Sequence, residues 1–414
     1  MPKLKKSALA PASFAKLPPL SGVRLAARAC GIKYKGRKDV LLMDFAPGTA
    51  MAGVFTRSLT AGPAVRWCRE ALKAQKHPRG RAIVVNAGNA NVFTGEAGWH
   101  AADATATAAA KLLGCKAKEV YVASTGVIGE PLPVGKIVGG LPALAKALKQ
   151  DAWRAAAEAI MTTDTFPKLA SRRVKIGKTT VTINGIAKGS GMIEPDMATM
   201  LAFVATDAKI PAAALQQMLR RGADRSFNCM TVDGDTSTSD SLFLAATGKA
   251  KHPRIAKASD KAAAEFRAAL EDLLIDLAQQ VARDGEGASK FVTIKVSGAK
   301  DTASARRVGR AIANSPLVKT AIAGEDANWG RIVMAVGKSG EPQEQEKLAV
   351  SIGGIRLTEK GARRPDYDEA PVTAHMKGQE IEIAVDLGVG RGKATIWTCD
   401  LTHGYIAING DYRS

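Results

Sequence analysis

Residues 184–201, N-G-I-A-K-G-S-G-M-I-E-P-D-M-A-T-M-L, change character at a single peptide bond. Up to Ala198 the stretch is rich in glycine and carries a proline and two acids, the composition of a loop. From Thr199 the run T-M-L-A-F-V-A-T is apolar and is bounded by Asp207, which predicts a buried strand. A threonine at the mouth of a buried strand, just after a glycine-rich loop, suits a nucleophile whose backbone nitrogen is set free. Cleavage before Thr199 would leave a β-hydroxyl and an α-amine on one residue, the pairing of an activated threonine nucleophile.

The rest of the chain supplies layers for that strand. Strands are expected at residues 81–86, 120–124, 178–186, 291–297, 348–355, 380–387 and 393–401, and a tight turn at 87–91. Helices are expected at 100–113, 143–160 (starting after Pro142), 212–225 and 262–283. In the last of these Leu270, Leu273, Leu274, Leu277 and Val281 share one face. Strands and helices interleave without a strict βαβ rhythm. A mixed α/β or α+β sandwich therefore fits better than a doubly wound parallel sheet. Hydrophobic residues make up 46% of the 414 and aromatics only 5%, so layers closely packed from small residues are expected.

Several function classes fall away. No apolar run approaches the roughly 18 residues of a membrane span, and residues 1–20 lack a secretory apolar segment, so a soluble cytoplasmic protein is expected. The five cysteines show no C-x-x-C spacing and the five histidines no H-x-x-x-H pair, so neither a disulfide framework nor a bound metal is expected. The formal charge of +20 raises nucleic acid as a partner. No groove-reading or aromatic-basic motif accompanies it, and a solvated basic surface is the simpler account. Residues 388–393, G-V-G-R-G-K, lack phosphate-loop spacing and lie between two strands, which predicts a hairpin turn. Ser190 is not in a G-x-S-x-G elbow. Asp233-Gly234-Asp235 begins like a calcium loop, but its twelfth position is Leu244 where a bidentate Glu is required, so it is a turn.

Acyl transfer through a threonine needs a nucleophile, a base, oxyanion donors and charges that hold the substrate. Thr199 supplies the first two once cleaved. Thr125 and Gly126, at a strand end, can direct a hydroxyl and a backbone N–H at an oxyanion. Lys188, in the loop ahead of Thr199, and Glu286, at a helix exit, offer opposite charges for a zwitterionic amino acid.

These segments resemble the ornithine acetyltransferase family, also called the bifunctional glutamate N-acetyltransferase family. Residues 188–201 are similar to its self-cleavage segment. The segments N-A-G-N-A-N (86–91), S-T-G-V-I-G (124–129), M-T-T-D-T (161–165), D-G-E-G-A (284–288), A-N-W-G-R (327–331) and the tail I-N-G-D-Y-R-S (408–414) resemble further family motifs in the same order. The resemblance implies that Thr199 is the nucleophile, released when the Ala198–Thr199 bond cleaves itself into chains 1–198 and 199–414. It implies an oxyanion hole of Thr125 and Gly126, and a substrate site of Thr162, Lys188, Thr199, Glu286, Asn409 and Ser414. It implies a two-lobed N-terminal-nucleophile-like sandwich, similar to β-peptidyl aminopeptidases, whose paired chains assemble as an α2β2 heterotetramer.

The activity implied is ping-pong transfer of acetyl from N2-acetyl-L-ornithine to L-glutamate in arginine biosynthesis, with no cofactor. Acetyl-CoA is a co-substrate if the enzyme is bifunctional. Two alternatives remain open at this level. A self-processing aminopeptidase of the same architecture would use water as acceptor, and a basic nucleic-acid-binding protein would bind duplexes in a salt-sensitive way.

Overall fold

The computed structural model describes residues 5–194 and 200–410, so Ala198, Thr199 and Ser414 lie outside the described residues. In chain order the N-terminal part carries β1 (Val23–Arg28), β2 (Val40–Phe45), β3 (Ala50–Phe55), α1 (Pro63–Lys73), β4 (Ala82–Asn89) and α2 (Gly95–Leu113). Then follow β5 (Val120–Val127), α3 (Val134–Lys146), α4 (Trp153–Ala159), β6 (Lys168–Ile176) and β7 (Thr179–Lys188). Next come β8 (Leu201–Thr206), α5 (Ala212–Arg225), β9 (Ser241–Ala246), α6 (Ala264–Arg283), β10 (Phe291–Ala299), α7 (Thr302–Ala313), α8 (Pro316–Ala323) and α9 (Trp329–Gly337). The last elements are β11 (Ala349–Ile352), β12 (Ile355–Arg356), β13 (Thr358–Glu359), β14 (Ala362–Arg363), α10 (Ala370–Met376), β15 (Glu380–Asp386), β16 (Gly392–Cys399) and α11 (His403–Gly410).

The expected mixed α/β sandwich is present, and β8 shows why it must be layered. All six of its residues are buried. Because side chains alternate across a strand, Leu201, Phe203 and Ala205 enter one core while Ala202 and Val204 enter another. β8 is the middle strand of a five-stranded sheet in the order β3-β9-β8-β7-β6. One face of that sheet takes α5 and α6: the α6 leucines Leu273 and Leu277 press so closely on Gly185 of β7 that a Cβ there would come within 2.9 Å of either. The other face packs on a second sheet in the order β1-β2-β4-β5. Phe243 of β9 joins the two, stacking on Phe203 at 6.0 Å and meeting Tyr121 of β5 at 5.4 Å. Beyond that second sheet lie α1, α2 and α3, with Trp67 Nε1 donating to Val120 O at 3.0 Å. The result is helix, sheet, sheet, helix.

A further lobe holds the third sheet, in the order β12-β11-β15-β10-β16, covered by α7 and joined to the first lobe through α6. Here the sequence expectation for residues 388–393 fails. β15 and β16 are not neighbours but flank β10, one parallel and one antiparallel. The connection therefore crosses the end of β10, where Val389 and Gly390 N–H both donate to Gly298 O at 2.8 Å.

Other expectations need correction. The single helix expected over 143–160 is two. Pro142 lies inside α3 rather than before a helix, and Lys149 in the gap pairs with Leu25 as an extra bridge on β1. The strand expected over 348–355 is a hairpin that reverses at Gly353-Gly354. The turn expected at 87–91 begins later, because β4 runs to Asn89. Lys188 is the last residue of β7, not a loop residue.

Truncating the bridge between the sheets is expected to be severe. Phe243→Ala should lower unfolding free energy by about 3–5 kcal/mol, the usual cost of deleting a buried phenyl ring, measured by urea denaturation.

Candidate active site

The two sheets that face each other stop short of one another at one end, and the opening is a cavity of ≈ 410 Å³. Strand parity delivers its first two residues. Thr125 shares a face of β5 with Tyr121, which touches the opposite sheet, and Lys188 shares a face of β7 with Ile186, which enters the same inter-sheet core. Thr125 and Lys188 thus look into one space from opposite walls, and both line the cavity.

Gly126 continues the first wall. At φ +133°, its added Cβ would stand 2.2 Å from the Gly88 carbonyl carbon, so only glycine fits beside β4. The β4–β5 register shifts at this place, between Gly88 and Asn89. Such a bulge re-aims the chain and is common beside active sites.

The remaining walls are three loops tied together by buried charge. Lys168, wholly buried, donates from Nζ to Asp164 Oδ1 at 2.7 Å, to Asp284 Oδ2 and to Phe166 O at 3.2 Å. That uses all three ammonium donors. Asp164 in turn accepts from Thr162 N–H at 2.9 Å and Gly189 N–H at 2.6 Å, and lies 3.7 Å from Lys188 Nζ. Asp284 accepts from the N–H and hydroxyl of Thr165. Two lysines and two aspartates therefore balance, and between them they fix the segments that carry Thr162, Lys188 and Glu286. Burial raises the Asp164 pKa, but the charges of Lys168 and Lys188 outweigh it and hold the carboxyl below its ordinary range. Burial acts first on Asp284 too and leaves it raised, since the nearby Asp164 charge opposes the help of Lys168.

Lys188 Nζ donates to Thr162 Oγ1 at 2.9 Å, so these two predicted substrate residues are already in contact. Glu286 accepts from Asn409 Nδ2 at 2.6 Å, joining the last helix, α11, to the cavity. Gly191 lies flat against the Glu286 carboxyl, where a Cβ would come within 2.4 Å. Glu286 N–H donates to Ser190 O at 2.9 Å, and the Ser190 hydroxyl donates to Asp284 O, so that serine is structural. Burial pushes the Glu286 carboxyl up, against hydrogen bonds from Thr163 and Asn409. Asp233 clamps the next turn, accepting from Met192 and Ile193 N–H at 2.7 Å each and from the Tyr405 hydroxyl at 3.2 Å. It is an anchor for the loop rather than the start of a cation site.

Thr125, Gly126, Thr162, Lys188, Glu286 and Asn409 all line this one cavity. Ala198, Thr199 and Ser414 are outside the described residues, but Met200, the covalent neighbour of Thr199, is in the wall. Sequence reasoning did not single out Lys168, Asp164, Asp284 or Asp240. The two aspartates Asp164 and Asp284 lay inside motifs it quoted, and Asp240 ends a polar run, D-G-D-T-S-T-S-D, at the mouth of another buried strand.

Relatives match nearly the full length of the chain. The ArgJ family profile matches residues 24–414. The arginine biosynthesis bifunctional protein ArgJ of Gluconobacter oxydans is 60% identical over 395 residues, which cover 95% of this chain and 92% of that protein. The protein of the same name from Nitrobacter winogradskyi is 57% identical over 412 residues, covering 99% of both. The crystal structure of arginine biosynthesis bifunctional protein argJ from Bacillus halodurans is 40% identical and covers 51% of this chain and 99% of that one, with a TM-score of 0.49.

Removing the central lysine should expose how much rests on it. Lys168→Met leaves two buried carboxylates with only Lys188, 3.7 Å from Asp164, to balance them, and should cost about 3–5 kcal/mol at neutral pH. The depressed Asp164 contributes stability that is present above the ordinary carboxylate pKa and is lost as pH falls through its lower folded value. The gap between wild type and K168M should therefore narrow as pH drops below about 4, read from chemical denaturation across a pH series.

Proposed function

The chain belongs to the ArgJ family, and from that premise we propose that it is an acetyltransferase of arginine biosynthesis that moves acetyl from N2-acetyl-L-ornithine to L-glutamate through Thr199. The observation that carries the reading is the convergence of Thr125, Gly126, Thr162, Lys188, Glu286 and Asn409, from distant parts of the chain, on one cavity whose wall includes Met200.

In this mechanism the Ala198–Thr199 bond is first hydrolysed, freeing the α-amine of Thr199. The fragments 1–198 and 199–414 stay together because β7 and β8, one from each, pair antiparallel from Ile183↔Thr206 to Lys188↔Leu201 in a buried sheet. The Thr199 hydroxyl then attacks the acetyl carbonyl carbon of N-acetylornithine and passes its proton to its own α-amine. Thr125 and Gly126 N–H stabilise the oxyanion. The carbon–nitrogen bond breaks, the amine of ornithine leaves with that proton, and acetyl-Thr199 remains. The amine of glutamate attacks the ester by the reverse steps. Lys188 pairs with the substrate carboxylate and Glu286 with its side-chain ammonium, charge-assisted contacts that select a free amino acid. Asn409 orients Glu286, Thr162 orients Lys188, and Ser414 completes the substrate site. No cofactor takes part, and acetyl-CoA is an alternative acetyl donor. The α2β2 assembly follows from the same family premise.

The transfer and hydrolase readings separate in one assay. Incubation with N-acetylornithine should release ornithine in proportion to added glutamate and yield N-acetylglutamate, whereas acetate release independent of glutamate would favour the aminopeptidase-like reading. In the same assay Thr125→Ala should lose about 10²–10³ in kcat, the usual cost of one oxyanion donor. Lys188→Ala should raise KM for N-acetylornithine about 10- to 100-fold, the loss of a charged hydrogen bond; an unchanged KM rules out the carboxylate pairing.

A pH dependence follows from Glu286. Its raised pKa means that it gains a proton, and loses its hold on the ammonium, at a higher pH than an ordinary glutamate would. KM for N-acetylornithine should climb as pH falls through that point and should be high and pH-independent in Glu286→Gln.

A further inference from the structure

The connection between β1 and β2, residues 29–39, has no task in the mechanism above, yet it is built against two walls of the cavity. Its place follows from strand register. Arg28 lies opposite Val40, Val40 opposite Asn86 and Asn86 opposite Ser124, on one line across the sheet β1-β2-β4-β5. The loop between Arg28 and Val40 therefore emerges at the end of the sheet where Thr125 and Gly126 stand. It is firmly held there. Buried Asp39 accepts from Cys30 and Ile32 N–H at 2.6 Å each, and its carbonyl accepts from Ala87 N–H at 2.9 Å. Lys136 Nζ donates to Gly31 O at 2.6 Å. Lys33 lies close upon Gly88, the partner of Gly126: a Cβ on Gly88 would come within 2.9 Å of Lys33 Cβ.

From this loop the half-buried Arg37 reaches the other wall. Its Nη1 donates to Thr162 O at 3.0 Å and its Nη2 to Met161 O, so one guanidinium fork grips two successive carbonyls. The Tyr34 ring, 5.5 Å away, steadies the guanidinium in turn. Thr162 is thereby held at every polar atom by a charged side chain. Its N–H donates to Asp164 at 2.9 Å, its carbonyl accepts from Arg37, and its hydroxyl accepts from Lys188 Nζ at 2.9 Å. Because threonine is stiff at χ1, the hydroxyl goes where the backbone goes. We propose that Arg37 is a positioning residue for substrate binding: its fork fixes the Met161–Thr162 backbone, and with it the hydroxyl that aims Lys188 at the substrate carboxylate. This rests on the acetyl-transfer reading of the same cavity, in which Lys188 pairs with that carboxylate.

The need for such a clamp lies in the chemistry of lysine. The Lys188 ammonium is a point charge on a flexible four-carbon stem with no geometry of its own, whereas an arginine fork is planar and rigid. What sets the direction of the ammonium is Thr162 Oγ1, together with Asp164 at 3.7 Å. Asp164 holds the N–H side of Thr162 and Arg37 the carbonyl side, so the loss of either lets that residue swing. The oxyanion wall is braced by a different part of the same loop, where Lys33 meets Gly88. A change at Arg37 therefore acts on the grip of the carboxylate, which substrate and transition state share, and shows in KM rather than in kcat.

The test is a double-mutant cycle on acetyl transfer with Arg37→Met, Lys188→Ala and the pair together. R37M should raise KM for N-acetylornithine about 3- to 10-fold, the cost of a weakened hydrogen bond, with kcat within about two-fold of wild type. In the K188A background the same change should alter KM by less than about two-fold, because two residues that act on one contact are not additive. Arg37→Lys keeps the charge but not the fork, and should still raise KM at least about two-fold; it takes the place of R37M in the cycle if R37M does not fold. An R37K enzyme with the KM of wild type, additive effects of R37M and K188A, or a loss confined to kcat overturns the assignment. Absence of acetyl transfer in the wild-type protein, or an unchanged KM in K188A alone, would instead overturn the reading on which it rests.

Discussion

Lys168 sits between Asp164 and Asp284 without any exposed surface, and the segments that carry Thr162, Lys188 and Glu286 are bonded to those two carboxylates. An ion cluster of this kind is poor value as a source of stability, since desolvation offsets most of the attraction. Its worth here is positional. Asp164 takes backbone N–H groups from residues 162 and 189, and Asp284 holds Thr165 and leads directly into Gly285-Glu286. Three segments far apart in sequence are thereby set to fixed distances around one cavity.

The sandwich supplies the other half of the geometry. A cavity between two sheets inherits its walls from strand parity, so Thr125 and Lys188 face one another because Tyr121 and Ile186 beneath them pack in the same core. The buried β7–β8 ladder runs directly up to the open end, and the residues that emerge from it, Lys188 and Met200, are both in the wall. A chain break between those strands would leave the ladder intact. The architecture thus tolerates a cut at the place where a free amine would be useful, without the two pieces drifting apart.

Much of this was legible in the sequence, for identifiable reasons. The apolar run after Thr199 and the leucine face of α6 are strong periodic signals, and both elements stand where they are expected. The helix over 143–160 was misread because a tertiary contact decided it: Lys149 leaves the helix to bridge Leu25. The path between β15 and β16 was misread because adjacency in sequence says nothing about the partner that inserts between them, here β10. At the site, the motifs pointed to Thr125, Gly126, Thr162, Lys188, Glu286 and Asn409, and these residues converge. Lys168 and Asp240 escaped notice because a lone charged residue is solvated by default, and only three-dimensional packing shows that these two are buried.

The central claim is that Thr199, set free by self-cleavage, carries the acetyl group. It is tested most directly by intact mass measurement and N-terminal sequencing of the purified protein, before and after incubation with N-acetylornithine alone. The account predicts two fragments, one beginning Thr-Met-Leu-Ala, and predicts that this fragment gains the mass of one acetyl group and loses it again when glutamate is added. A single 43.3 kDa chain that still transfers acetyl, or an acetyl group on the other fragment, would contradict it.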